Sequence, residues 1–199
     1  KSLGIKKKII NYNNLIKIDF DYIIISPGID IENCKLSNFI KKNLEKLNTD
    51  IDVFYSIYNK NKNITITGTN GKSTTAKILY EVLKDQKFDV RLVGNIGNPI
   101  LSEKKIKKNT VFVIEASSYQ LEYSKIFKSN YAVILNISPD HLERHKTLKN
   151  YVRAKFKLIK NQQNSDNAFL NIKNHYLRNE IKINRIRSKI ILSLIHISK

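Results

Sequence analysis

Short apolar runs alternate along this chain with longer segments whose apolar residues recur every three or four positions. Residues 22–26 form a brief apolar stretch that ends in the turn pair Pro27-Gly28 and predict a strand. Between 36 and 47, the residues Leu36, Phe39, Ile40, Leu44 and Leu47 fall on one side of an amphipathic helix. Residues 61–63 are polar and read as a link. A β-branched strand over 64–67 stops at Gly68, and 73–85 has the period of a helix. Runs rich in Val and Ile at 90–93, 111–116 and 131–137 predict further strands. Residues 148–160 read as a helix, with Tyr151, Ala154, Lys155 and Leu158 three or four apart, and 168–171 and 189–192 read as late strands.

Strand and helix repeated in this order predict the α/β class, a mainly parallel sheet flanked by helices on both faces. Residues 132–135 carry no polar alternation, as expected of a strand buried on both sides. In such sheets ligands collect beyond the carboxyl ends of the strands.

Composition adds bounds. The 199 residues suffice for one core, or for one domain and part of another. The chain opens on Lys1 and holds no methionine, and it stops just after the apolar run 190–197, so both ends read as cuts. Its 36 Lys and Arg against 17 Asp and Glu give a formal charge of +19. That charge fits a polyanionic partner such as nucleic acid, or a background enrichment in Lys, Asn and Ile. The lysines are scattered (Lys6 to Lys8, Lys41 and Lys42, residues 104–108, residues 155–160) rather than gathered with aromatics, which favours the second reading. A single cysteine, Cys34, rules out an internal disulfide and a thiolate metal cluster. No apolar run approaches the ~20 residues of a membrane span, and no signal peptide is visible. A reducing cytoplasm fits these features.

The sharpest motif is Gly68-Thr69-Asn70-Gly71-Lys72-Ser73-Thr74, set between a strand and a helix. Glycines let a backbone turn tightly and present its N–H groups to phosphate oxygens, and the helix N-terminus adds partial positive charge. Lys72 would reach the terminal phosphates of ATP and Ser73 would offer a hydroxyl to Mg2+. The loop departs from the general G-x-x-x-x-G-K-[ST] pattern, because Ile66 stands where the first glycine would be.

The shortened G-T-N-G-K-S form resembles the phosphate loop of the Mur ligases and of the related folylpolyglutamate synthetases. Four further blocks separate these. They are Gly94-Asn95-Ile96-Gly97-Asn98-Pro99, then Glu115-Ala116-Ser117-Ser118-Tyr119-Gln120-Leu121-Glu122, then residues 136–145 with Asp140-His141, then residues 151–155 ending in Lys155. In this order and spacing they resemble the D-glutamate-adding branch of the Mur ligases, and Ser26-Pro27-Gly28-Ile29 resembles the end of that branch's UDP-binding domain. The resemblance runs from about Asp21 to Asn171.

What the resemblance implies can be set beside the residues. Gly68, Thr69, Asn70, Gly71, Lys72, Ser73 and Thr74 would bind ATP. Glu115, at a buried strand end, would hold Mg2+ with Ser73, or alternatively cap the next helix. His141 would hold a second metal near the γ phosphate, with Asp140 a helix cap or an orienter of its neighbour. The family's matching lysine is carbamylated by CO2 into an anionic metal ligand, which would make Lys155 the third catalytic residue beside Lys72 and His141. A snorkelling surface lysine is the other reading. Asn95 and Ser117 would contact the muramoyl-alanine part of the substrate, and Ser26, Pro27 and Gly28 its uracil side.

The implied enzyme is a cytoplasmic, monomeric, ATP-dependent ligase of peptidoglycan synthesis. Its partners would be UDP-N-acetylmuramoyl-L-alanine and D-glutamate, with no nucleic acid and no membrane insertion. The implied division is residues 1–60 as the end of the UDP-binding domain and 61–191 as an incomplete ATP-binding domain, with a C-terminal domain absent. Residues 192–199 look like a translated sequencing-adapter tail, which would leave His196 without meaning. A chain cut this way should not catalyse the ligation alone. Two rival readings stay open: a related Mur or folate-type ligase with another acceptor, and a basic nucleic-acid-binding protein.

Overall fold

The computed structural model describes residues 10–171 and 173–193. After a single helical turn, α1 (Tyr12–Leu15), the chain forms β1 (Ile23–Ile25), α2 (Ser37–Lys42), a 3-10 turn (Leu44–Lys46) and β2 (Leu47–Thr49). It continues through α3 (Asp50–Tyr58), β3 (Asn63–Thr67), α4 (Lys72–Asp85), β4 (Val90–Gly94) and β5 (Val111–Glu115). Next come α5 (Ser118–Glu122), β6 (Tyr131–Ile134), α6 (Leu142–His145), α7 (Leu148–Lys160), β7 (Asn167–Asn171), α8 (His175–Ile183) and β8 (Lys189–Ser193).

β1 and β2 pair in parallel as a small sheet of their own. The other six strands form one sheet in the order β4-β5-β3-β6-β7-β8, every neighbouring pair parallel. Alternation along β5 shows how both faces are used. Phe112 and Ile114 face a layer built by α3, α5 and α7, while Val113 faces Ala76, Leu79 and Leu83 of α4. Phe54 of α3 meets Phe112 edge-on, ring centres 4.8 Å apart. The expected α/β fold with a parallel sheet between helical layers is therefore present.

The details differ in places. The helix expected over 36–47 ends at Lys42, and Leu47 instead opens β2, where it pairs with Ile23. The polar residues 61–63 are no link. The Asn61 amide donates to the carbonyls of Lys107 and Thr110, and Asn63 opens β3 with its own amide on the Lys128 carbonyl. β6 ends at Ile134, because Asn136 turns away to serve the phosphate loop. Leu192 and Ser193 pair with β7, while residues 194–199 lie outside the described part, His196 with them. Among the described residues no helix is long and apolar enough to cross a membrane.

Candidate active site

The carboxyl ends of β3, β5 and β6 lie side by side in the sheet, so the loops that follow them converge. Gly71 caps α4 with a left-handed φ of +82°, a conformation that admits glycine without strain. The first intrahelical bond runs from the Thr75 N–H to the Gly71 carbonyl. The N–H groups of Lys72, Ser73 and Thr74 thus precede the helical ladder and point out from its positive end. Thr69 and Asn70 are committed differently. The Thr69 N–H goes to the Asn136 carbonyl, and the Asn136 side chain clasps Asn70, accepting from its N–H at 2.9 Å and donating to its carbonyl at 3.0 Å. The Thr69 hydroxyl contacts the Ser138 carbonyl and the Tyr151 hydroxyl. These two residues brace the loop, and Gly68 permits the brace, since a Cβ there would stand 3.1 Å from that of Leu135. The Lys72 ammonium folds back onto the Thr69 carbonyl at 2.8 Å.

Glu115 ends β5 with 1% of its surface exposed. Its Oε1 accepts from the Asn95 amide at 3.0 Å, while Oε2 is buried with no hydrogen-bond partner. A bare buried carboxylate oxygen is costly unless a cation meets it. Magnesium fits such a position, because it takes hard oxygen ligands and needs only one or two carboxylates beside phosphates and water. No group of three or more His, Cys, Asp or Glu gathers as a metal cage among the described residues. Asn95 is tied to Glu115 twice, since its N–H also donates to the Glu115 carbonyl. Gly94 makes that approach possible: a Cβ there would stand 2.3 Å from the Glu115 carbonyl oxygen.

Lys155 reaches the site from α7 and is 1% exposed. Its Nζ donates to the Gly68 carbonyl at 2.8 Å and lies 4.6 Å from the centre of the Tyr151 ring. The snorkelling alternative does not describe this side chain. Burial first, then the nearby Lys72 charge, push its pKa down to about 7, against the pull of Asp140 and Glu115. His141 caps α6 in a left-handed conformation, its N–H bonded to the Asp140 carboxylate and its ring 5.0 Å from that of Tyr119. Asp140 is therefore no N-cap but orients the residue after it. His145, one turn on, is buried on the Ser118 hydroxyl at 3.0 Å, and burial pushes its pKa down to about 4, so it is neutral at pH 7.

Pro27, Gly28, Asn95 and Ser117 share one cavity of about 550 Å3 with Lys72, His141 and Lys155. Ser26 does not; it lines a neighbouring apolar cavity with β1 and α2. Asp50, Gly94, Ser118, Tyr119 and Gln120 also line the cavity and were not singled out from the sequence. Gln120 closes a capping box on Ser117, accepting from its N–H at 3.1 Å, and reaches across to Asp50 at 3.0 Å. Burial raises the Asp50 carboxyl above its usual range. The S-x-x-Q spacing was a readable sign of the box, whereas the partner at the start of α3, seventy residues away, left no local sign.

Comparison with known proteins follows this geometry. The chain is 39% identical over 160 residues to the UDP-N-acetylmuramoylalanine–D-glutamate ligase of Caldicellulosiruptor bescii, a match covering 80% of this chain and 35% of that protein. The ligase of the same name from Rickettsia bellii is 36% identical over 171 residues, 86% of this chain and 37% of the relative. The chain thus spans little more than a third of the length of these curated relatives. Among solved structures, UDP-N-acetylmuramate:L-alanyl-gamma-D-glutamyl-meso-diaminopimelate ligase from Neisseria meningitides aligns with a TM-score of 0.61 at 14% identity, over 86% of this chain and 58% of that one. A MurF ligase from Thermotoga maritima in complex with ADP aligns at 0.55 and 21%, over 78% and 44%. At those identities the likeness bears on fold. The family model of the Mur ligase middle domain matches residues 66–194, more than half of the chain, and places the phosphate loop, Glu115, His141 and Lys155 inside the match. This chain belongs to the Mur ligase family, and the part of it so matched is that family's middle domain.

Proposed function

We propose that the chain is the ATP-binding part of a ligase that joins D-glutamate to UDP-N-acetylmuramoyl-L-alanine in cytoplasmic peptidoglycan synthesis. The observation that carries the reading is the gathering of Lys72, His141 and Lys155 on one cavity beside a buried carboxylate with a bare oxygen. The names of the relatives supply the substrates. Residues up to about 60 belong, in this reading, to the UDP-binding domain, and the contacts to D-glutamate lie beyond the chain.

ATP would lie with its phosphates over the N–H groups of Lys72, Ser73 and Thr74. An oxygen of the L-alanine carboxylate attacks the γ phosphorus, the bond to the β–γ bridging oxygen breaks, and ADP leaves an acyl phosphate. The D-glutamate amine then adds to the acyl carbon and loses a proton, and the tetrahedral intermediate expels phosphate. No protein nucleophile is needed. Lys72 exchanges the Thr69 carbonyl for phosphate oxygen and neutralises charge spreading over the transferring group. Glu115 and Ser73 would hold one magnesium ion, and His141 with a carbamylated Lys155 a second; when bound, these ions would add to the neutralisation of the phosphate oxygens. A lysine whose pKa is about 7 is a free amine, the form that reacts with CO2, in about half of the molecules at pH 7, against about one in a thousand for an unperturbed lysine. Asn95 holds Glu115 in place, and Ser117, whose hydroxyl is held by the Gln120 side chain and N–H, would border the muramoyl side of the cavity.

The test is phosphate release from ATP by the intact protein, with UDP-N-acetylmuramoyl-L-alanine and a panel of amino acids. Release that requires D-glutamate and disappears in Lys72→Ala is expected. Release with another amino acid or with a folate keeps the phosphate chemistry and overturns the substrate. Absence of turnover with every acceptor overturns the function.

A further inference from the structure

A second cavity lies at the opposite end of the sheet. Its walls come from residues 125–128 before β6, residues 160–163 at the end of α7 and just after it, and residues 184–187 before β8. These segments all lead into the amino ends of parallel strands, whereas the phosphate loop follows a carboxyl end. The cavity measures about 720 Å3, within the range of sites for small organic ligands.

Its charge is one-sided. Lys125, Lys128, Lys160, Arg185 and Arg187 line it, and among the described residues no carboxylate does. Among the described residues Lys128 alone of the five has an acidic partner, Asp166, at 3.4 Å. Lys125 donates to the carbonyls of Leu44 and Glu45, and Arg187 to the Gln163 side-chain oxygen, neither of which cancels a charge. Lys160 is suited to the negative C-terminal end of α7, but that explains neither Lys125 nor the two arginines. The repulsion is felt next door: after burial, the Lys160 charge is what most lowers the pKa of Lys157.

The walls are held in place before any ligand arrives. Asp52 accepts from the N–H groups of Lys125, Ile126 and Phe127, and the Asn161 amide donates to the carbonyls of Lys125 and Phe127. The floor is apolar, made by Tyr55, Ile126, Phe156 and Ile186. We propose that this cavity binds a small organic polyphosphate, of the nucleoside di- or triphosphate class, with its phosphates among Lys125, Lys160, Arg185 and Arg187 and its apolar body on the floor. The site is separate from the phosphate loop and stands whether or not the ligase reading does.

Calorimetric titration of the intact protein carrying Lys72→Ala, which removes the phosphate-loop cation, reads this second site. ADP and inorganic tripolyphosphate are the probes. Saturable one-to-one binding of ADP is expected, weakened at least tenfold by Lys160→Ala with Arg185→Ala at an unchanged melting temperature. Both side chains are exposed; Arg185→Glu alone, in the loop before β8, gives the same reading should the helix substitution disturb folding. ADP bound more tightly than tripolyphosphate supports a role for the floor. Tripolyphosphate binding without ADP binding, no saturable binding, or binding that these substitutions leave unchanged overturns the proposal. So does tighter binding of single-stranded RNA that grows with its length, which would mark a diffuse basic surface instead.

Discussion

Glu115 has one oxygen satisfied by Asn95 and one with no partner, and that asymmetry yields a prediction that does not depend on turnover alone. Glu115→Gln keeps the shape and removes the bare charge. Without Mg2+ the variant should melt no lower than the parent, while the upward shift of the parent's melting temperature with Mg-ATP should vanish. Turnover should fall on the order of a hundredfold, as for loss of one preorganised charge-stabilising group. An undiminished Mg-ATP shift would count against the carboxylate as a metal ligand. Gly94 tests the same residue from its backbone side. Ala at φ +109°, with its Cβ 2.3 Å from the Glu115 carbonyl oxygen, must push the two loops apart. Gly94→Ala should lose about 2 kcal/mol or more in denaturant melts and raise the KM for the muramoyl substrate. Asp89 sets a pH dependence. The Thr110 hydroxyl at 2.7 Å, and then Arg91, hold its carboxyl below the usual range. The folded chain therefore binds fewer protons than the unfolded one there, so this contribution is complete above about pH 4 and is lost as pH falls through the lower folded-state value. Acid melts of Asp89→Asn should lack that part of the decline. The phosphate-loop residues and Glu115 were legible as chemistry because each sits where a strand run stops. The Asn95–Glu115 and Gln120–Asp50 bonds were not, because they join loops far apart in sequence.

Elements were legible where one face of the pattern is clean. The 148–160 helix and the core strands β3 to β5 and β7 to β8 stand within a residue or two of their apolar runs. α3 was not read, and its composition explains why. Asp50–Tyr58 is rich in β-branched and aromatic residues, which suit strands better than helices. A capping box between Thr49 and Asp52, and the burial of Ile51 and Phe54 under the sheet, decide for the helix. The same Asp52 carboxylate also gathers the Ser124 hydroxyl at 2.8 Å and the N–H groups of Lys125, Ile126 and Phe127. It thus caps its own helix and pins the loop into β6. Asp52→Ala would strand several buried donors at once, and should cost about 3 kcal/mol or more in chemical denaturation. A loss under 1 kcal/mol would mean that water replaces the carboxylate in that loop.

At the scale of the whole molecule, charge is the property that pattern and fold leave unbalanced. The 36 cationic side chains against 17 anionic ones cannot all find opposite partners, and several ion pairs are solvent-exposed, such as Lys41 with Glu32 and Lys84 with Glu81. Exposed pairs contribute little, about 0–1 kcal/mol each, whereas like charges spread over one surface act together and oppose compactness. Salt shortens the reach of that repulsion to about 8 Å at physiological ionic strength, which is still more than the length of an ion pair. Sodium chloride raised from about 20 to 200 mM should therefore increase the melting temperature, since long-range repulsion is screened before short pairs are. The sign decides between two balances. A rise means that net repulsion governs this surface, and charge-neutral substitutions among the scattered lysines should then stabilise the fold. A fall means that the ion pairs hold more than their exposure suggests, and the same substitutions should weaken it.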